Sequence, residues 1–115
     1  MLLNFSNHPS HTWNEKQLLK AFELFESVTD LEFPHIDPHF SYDDIDKLST
    51  KYVDIILSKR PKVVHIMGEL TFTYKVVLKL QMEGMLCIGS TTHRIATEED
   101  GYKFSKFEFV QFRGY

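Results

Sequence analysis

The sequence predicts an α/β fold of the Rossmann-like type, a three-layer sandwich in which helices cover both faces of a mostly parallel β-sheet. Short apolar runs alternate with segments of helical periodicity in the order β-α-β-α-β-α-β, and one more strand follows. The early runs are apolar on both faces, as strands are when helices cover a parallel sheet. Right-handed crossovers then give the strand order 2-1-3-4, with the last strand antiparallel outside the fourth.

Size and composition fit a single Rossmann-like domain that spans residues 1–115. Hydrophobic residues make up 43% of the chain and charged residues 25%, which is ordinary for a globular protein. No apolar stretch approaches the ~20 residues of a membrane span, and the early polar residues argue against a signal peptide, so we expect a cytoplasmic protein without a membrane partner. The net charge of -3 disfavours long nucleic acid, because its binding needs a basic face.

The first half of the chain contains two predicted strands and two predicted helices. Residues 1–5 form the first strand, and Thr12 with Glu15 fits a capping box at the start of the helix that follows. Residues 28–33 form the second strand. Ser41 begins the second helix, whose buried face repeats apolar residues at helical spacing.

The second half repeats the alternation and ends in an aromatic strand. Residues 63–67 form the third strand, and a helix over residues 71–82 ends before Gly84, the type of residue that terminates helices. Residues 85–89 form the fourth strand. The only cysteine, Cys87, lies in this apolar run, which predicts a buried, inert thiol. Aromatic and polar residues alternate over residues 102–112, as in a half-exposed terminal strand.

Polar residues follow the first, third and fourth strands at the carboxyl end of the predicted sheet, where two crossovers diverge and such sheets bind ligands. The ligand-binding candidates are Ser6, Asn7, Ser10, Gly68, Glu69, Thr71, Ser90, Thr91, Thr92 and Arg94. Gly68 permits close backbone approach, and the helix after it directs free N–H groups to an anion. His8 and His93 are the candidates for proton transfer, because imidazole titrates near neutral pH. This set predicts a phosphate-bearing ligand.

The candidates in the loops after the first and third strands also have structural interpretations. Asn7 and Ser10 could serve only to turn the chain. His8 could orient its loop rather than take part in chemistry. Glu69 could complement the dipole at the start of the third helix. Both interpretations stay open for each residue at this point.

The candidates after the fourth strand have structural interpretations as well. Residues 90–92 could continue the strand, since threonine favours extended backbone. His93 and Arg94 could form a solvated pair beyond the sheet. His65 lies inside the third strand, and we expect it to be a hydrogen-bonded core residue rather than a ligand.

No motif predicts a metal or a cofactor. His35 and His39 flank Asp37 in a loop bounded by prolines, but their spacing matches no strong zinc pattern. The loop over residues 6–11 contains no glycine, so the dinucleotide-binding fingerprint is missing. The chain also has no Walker A sequence and no Gly-x-Ser-x-Gly elbow. Hydride transfer, kinase and esterase activities therefore lose their main support.

Five segments resemble small CRISPR-associated proteins, and together they extend over nearly the whole chain: residues 2–10, 33–38, 65–71, 90–94 and 107–115. The layout is more remotely similar to the Rossmann-like domains that sense cyclic oligoadenylates in type III CRISPR systems. Stand-alone relatives of those domains are ring nucleases, which linearise this messenger. The resemblance implies that the chain binds cyclic oligoadenylate, or a similar small nucleotide, and cleaves it without a metal.

Cleavage of such a ring needs the 2′-hydroxyl in line with the leaving oxygen, and donors for the charged phosphorane. The hydroxyls of residues 90–92 and Arg94 would supply donors, His8 or His93 would move a proton, and Asn7 would hold a phosphate or an adenine edge. Two alternatives stay open: a sensor that binds without cleaving, and a hydrolase of another small nucleotide.

We also expect a homodimer. A ring with an even number of nucleotides has twofold symmetry, which a twofold dimer could match with one site on each half. The aromatic strand over residues 104–112 offers more apolar surface than a monomer of this size should expose.

Overall fold

The structure is a computed structural model that describes all residues, 1–115. Its strands are β1 (Leu2–Ser6), β2 (Val28–Asp30), β3 (Val63–Met67), β4 (Leu86–Glu99) and β5 (Tyr102–Gly114). Its α-helices are α1 (Glu15–Phe25), α2 (Tyr42–Ser58) and α3 (Leu70–Met82), and a short 3-10 helix covers Ser10–Thr12. None of these helices combines the length and the apolar character that crossing a bilayer requires.

The five strands form one sheet in the order β2-β1-β3-β4-β5. The first four strands are parallel, and β5 is antiparallel to β4. The predicted α/β class, the strand order and the antiparallel C-terminal strand are therefore confirmed. β1 and β3 lie side by side in the interior of the sheet, as their apolar character on both faces requires.

The core has two parts, one on each face of the sheet. Leu3 and Phe5 of β1 belong to a cluster of 12 buried residues that includes side chains of α2 and α3. Leu2 belongs to a cluster of 4 buried residues on the other face, which contains Ala21 of α1. Successive residues of β1 thus alternate between two cores, and the chain forms three layers. Cys87 is buried as predicted.

The capping box predicted at Thr12 and Glu15 is wrong. Asn14 is the N-cap of α1, and its side chain accepts a hydrogen bond from the Gln17 N–H at 2.9 Å. Thr12 closes the 3-10 helix instead, and its hydroxyl donates to the Pro9 carbonyl at 2.7 Å. Because that turn uses the threonine hydroxyl, the capping role passes to the next suitable residue along the chain.

β4 is much longer than predicted. The predicted strand ended at Gly89, but β4 continues to Glu99 and pairs with β5 from Ile88 to Glu99. Asp100 and Gly101 make the turn with positive φ at both residues, as the Asp-Gly sequence predicts. We call residues 90–112 the hairpin arm. It gives a radius of gyration of 15.7 Å, against about 13 Å for a compact chain of this length.

Candidate functional site

A cleft of about 430 Å³ opens on the α1 side of the sheet, beside the carboxyl ends of β1 and β3. The loop after β1, the start of α1, the end of β3 and the base of the hairpin arm contribute to it. The lining residues are His8, Thr12, Trp13, Asn14, Gln17, His65, Met67, Ser90, Thr92 and Phe107. Its position matches the place where open α/β sheets bind ligands.

His65 lies in the floor of this cleft, and the buried Asn4 is its partner in the register of β1 and β3. The Asn4 amide is oriented by its nitrogen, which donates to the His8 carbonyl at 2.9 Å and to the Asp30 carboxylate at 2.8 Å. Its oxygen Oδ1 therefore faces Nδ1 of His65, 2.9 Å away, as an acceptor. His65 must carry its proton on Nδ1, which leaves a lone pair on Nε2.

The Nε2 atom of His65 is buried and has no hydrogen-bond partner. Desolvation by burial, together with the nearby His8, lowers the pKa of His65 from 6.5 to about 4, so the ring is neutral at pH 7. The expected core hydrogen bond of His65 is present, yet the other ring nitrogen remains an unused acceptor. A buried acceptor without a partner is costly, so a ligand donor that reached Nε2 would relieve an unsatisfied group.

Aromatic rings pack around His65. Its ring meets Trp13 with centroids 5.1 Å apart and Phe112 with centroids 5.7 Å apart, both edge to face. The indole N–H of Trp13 donates to the His8 carbonyl at 2.9 Å, which ties this wall to the loop after β1. Aromatic walls next to a fixed acceptor suit a planar ligand ring that carries an N–H donor, such as a nucleobase.

Ser6 and Ser10, both predicted to bind ligand, support the loop of His8 instead. The Ser6 hydroxyl lies 2.7 Å from Oδ1 of Asn4 and accepts from the His8 N–H at 3.2 Å. Ser10 donates to Asp30 through its N–H at 3.1 Å and its hydroxyl at 2.6 Å. Burial raises the pKa of Asp30, but hydrogen bonds from Ser10 and Asn4 outweigh this effect and lower the pKa below its usual value. These bonds hold the loop against the sheet.

Glu69 and Thr71 lie at the start of α3, outside the cleft. The Glu69 carboxylate accepts from the N–H groups of Thr71 at 3.0 Å and Phe72 at 2.8 Å. Partial burial raises the pKa of Glu69, but these hydrogen bonds outweigh this effect and lower the pKa below its usual value. The carboxylate therefore occupies two N–H groups that were expected to face an anionic ligand, and this contact agrees with the structural interpretation of Glu69.

Gly68 and Asn7 also lie away from the cleft. Gly68 is covered by Phe33, because a Cβ added there would lie 2.2 Å from the Phe33 Cζ atom. Its lack of a side chain serves packing rather than approach to a ligand. Asn7 lines a separate depression together with Phe33 and Glu69, and its N–H donates to the Met67 carbonyl at 3.1 Å.

Three residues of the predicted segment 90–94 share the cleft face of β4. Ser90 and Thr92 line the cleft, and the Ser90 hydroxyl contacts the Met67 sulfur at 3.0 Å. Arg94 follows Thr92 on the same face, because strand side chains alternate. Its guanidinium donates to the Ser105 hydroxyl at 3.1 Å, one step farther along the arm.

Thr91 and His93 lie on the opposite face of β4. The Thr91 hydroxyl donates to the Gln111 carbonyl at 3.2 Å, and His93 pairs with Glu108 in the register of the hairpin arm. The structure therefore does not bring His93 to His8. The cause is the continuation of β4 beyond Gly89, which turns an expected loop into a strand with two faces.

Several residues of the site were not identified as candidates from the sequence. Asn4 is polar within a buried strand that is otherwise mostly apolar, which is the signal that could have found it. Asp30 and Trp13 carried no such signal, since each acts through contacts between distant segments. No group of three or more His, Cys, Asp or Glu side chains lies together in a metal-binding arrangement.

Comparison with protein families identifies a match over nearly the whole chain. The family model described as "Uncharacterized protein MJ1673 family" matches residues 1–113, which include the whole cleft. Searches of the curated proteins and of the solved structures found no match.

Proposed function

The chain belongs to the MJ1673 family, and we propose that it binds cyclic oligoadenylate in the His65 cleft and cleaves the ring without a metal. The ligand class comes from the resemblance to small CRISPR-associated proteins. One observation supports a nucleotide in this cleft: His65, fixed by Asn4, has an unpartnered Nε2 between aromatic rings. On this proposal the protein works in the cytoplasm, as expected from the sequence.

The floor of the cleft suits recognition of an adenine base. The exocyclic amino group of adenine is a donor, and His65 Nε2 is an acceptor that nothing in the protein uses. Trp13 and Phe107 line the same cleft and offer ring faces or edges for contact with the base. Because Nε2 is buried in the ligand-free structure, binding of the base to it includes a small rearrangement of the side chains that cover it.

The cleft face of β4 suits the sugar-phosphate part of the ring. Ser90 and Thr92 offer hydroxyls, and Arg94 offers the nearest guanidinium on that face. His8 takes the proton of a 2′-hydroxyl as that oxygen attacks phosphorus, and returns it to the 5′-oxygen as the P–O5′ bond breaks. The products are a 2′,3′-cyclic phosphate and a 5′-hydroxyl, so atoms and protons balance without a metal or a cofactor.

The alternatives from the sequence share this cleft and differ in outcome. A sensor would hold the ring unchanged, and a hydrolase of another small nucleotide would leave cyclic oligoadenylate unbound. Incubation of the purified protein with rings of four and of six adenylates, in the presence of a chelator, separates them. We expect linear products with cyclic phosphate ends. A bound but intact ring would overturn cleavage, and the absence of binding would overturn the whole proposal.

A matched pair of variants tests whether the ligand uses this face of β4. Thr92→Val removes a hydroxyl from the cleft, and Thr91→Val removes the same group from the opposite face. We expect Thr92→Val to weaken ring binding about fivefold, the effect of one hydrogen bond of about 1 kcal/mol. Thr91→Val should bind like the parent. Equal affinities of the two variants would show that the ring makes no hydrogen bond to Thr92 and would contradict this part of the proposal.

A further inference from the structure

The outer edge of β5 is the longest open edge of the sheet. β5 is an edge strand of 13 residues, and its other side pairs only with β4. Phe104 and Phe107 on it are 52% and 62% exposed. Proteins usually shorten, cover or pair such an edge, because its free N–H and C=O groups recruit other strands.

We propose that β5 pairs antiparallel with β5 of a second copy, in the register that sets Phe107 opposite Phe107. A twofold axis normal to the sheet keeps the two cleft faces on one side of the combined sheet. Residues that face each other across this axis must then lie on the same face of the strand. Only registers centred on a residue satisfy this condition. This leaves few choices along residues 102–109, the part of β5 before the bulge at Val110, which pairs with no residue of β4.

Charge selects among these registers. Centring on Lys106 would set lysine against lysine, and centring on Glu108 would set glutamate against glutamate, both unfavourable for directly opposed residues. Centring on Ser105 would place no two charged residues opposite each other. Centring on Phe107 sets Lys106 of each copy against Glu108 of the other, which makes two opposite-charge pairs about the axis. The strand is therefore complementary to itself in this one register.

The register also brings the two clefts together. Phe107 lines the cleft of its own chain, and its counterpart across the axis would have its Cβ about 4.5–5.5 Å away. Each cleft would then end at the same pair of rings. A ligand with twofold symmetry could extend across both clefts. This last consequence rests on the proposed function, whereas the pairing itself does not.

Sedimentation velocity of the ligand-free chain at micromolar concentration tests the pairing. We expect a dimer of the 13.6 kDa chain. Glu108→Lys or Lys106→Glu alone places like charges opposite each other twice, and each should weaken association at least about tenfold. The double variant, Lys106→Glu with Glu108→Lys, restores both opposite-charge pairs and should dimerise like the parent. Glu83→Lys makes the same charge change at an exposed residue after α3 and serves as the control.

Three outcomes would overturn this inference: a monomeric parent, a dimer that tolerates both single reversals, or a double variant that stays monomeric. Circular dichroism of each variant checks that the fold is retained. Because the measurement uses no ligand, a failure of ring binding or cleavage would leave the result on pairing intact. Conversely, a monomeric parent that still cleaves the ring would overturn the pairing and not the proposed function.

Discussion

The indole ring of Trp13 meets the imidazole of His65 edge to face, with centroids 5.1 Å apart. The same indole donates its N–H to the His8 carbonyl at 2.9 Å. One side chain therefore packs against the buried histidine and holds the loop that carries the exposed one. His65 is 1% exposed as a result of this packing and of the strands around it.

Burial of His65 predicts a loss of stability in mild acid. Its pKa is about 4 in the folded protein against 6.5 in the reference state, so the unfolded chain binds the proton first as pH falls. The stabilisation is complete above pH 6.5 and is lost as pH falls through about 4, by about 3 kcal/mol in the free energy of unfolding. Urea denaturation across this range measures it. His65→Gln should remove this part of the pH dependence, and an unchanged slope would contradict the assignment.

Close packing of Phe33 on Gly68 predicts that Gly68→Ala is destabilising. The added Cβ would lie 2.2 Å from the Phe33 ring, and overpacking of this kind costs about 1–3 kcal/mol. Phe33→Leu in the Gly68→Ala background should recover part of the loss. Gly114→Ala is the control, because its nearest atom would be 4.0 Å away. Equal denaturation midpoints for Gly68→Ala and Gly114→Ala would show that the contact does not matter.

Substitutions of His8 and His93, the two candidates for proton transfer, should have different effects on cleavage. His8 lines the cleft and His93 lies on the opposite face of β4. If His8 moves the proton, His8→Ala should slow ring cleavage by about 10²–10⁴-fold, while ring binding survives. His93→Ala should cleave like the parent. Single-turnover rates measure both, and a slow His93→Ala variant with a fast His8→Ala variant would reverse the assignment.

Arg94 is expected to contribute to binding more than to the chemical step. Arg94→Ala should weaken ring binding by about 1.5–3 kcal/mol, the scale of a charge-assisted hydrogen bond. Titration calorimetry measures the loss. Arg113→Ala removes the same charge from the far face, since Arg113 pairs with Gly89, and it should leave the affinity unchanged. A parent-like affinity for Arg94→Ala would show that the guanidinium remains with Ser105.

The fold could be predicted because its central strands carry a clear local signal. β1 and β3 are apolar on both faces, which requires helices above and below. The length of β4 could not be predicted in this way. Ser, Thr and His after Gly89 are compatible with a loop or with a strand, and pairing with the distant β5 decides between them.

The site was only partly predictable because its main contact joins residues that are 61 positions apart. Asn4 and His65 each interrupt an apolar run, so each could be noticed alone. Their pairing requires the register of β1 against β3, which no local pattern contains. His8, Ser90 and Thr92 were placed correctly near the carboxyl end of the sheet, whereas the side chains of Thr91 and His93 follow strand alternation away from it.

The buried Asn4–His65 pair also has a consequence for how the sheet assembles. All five positions of β1 are buried, so hydrophobic pattern alone would accept β1 shifted by two residues against β3. Such a shift would separate the two side chains and leave Nδ1–H of His65 without its acceptor, at a cost of about 1–3 kcal/mol for an unsatisfied buried group. The pair therefore favours one alignment of β1 against β3 over alignments that bury the apolar side chains equally well.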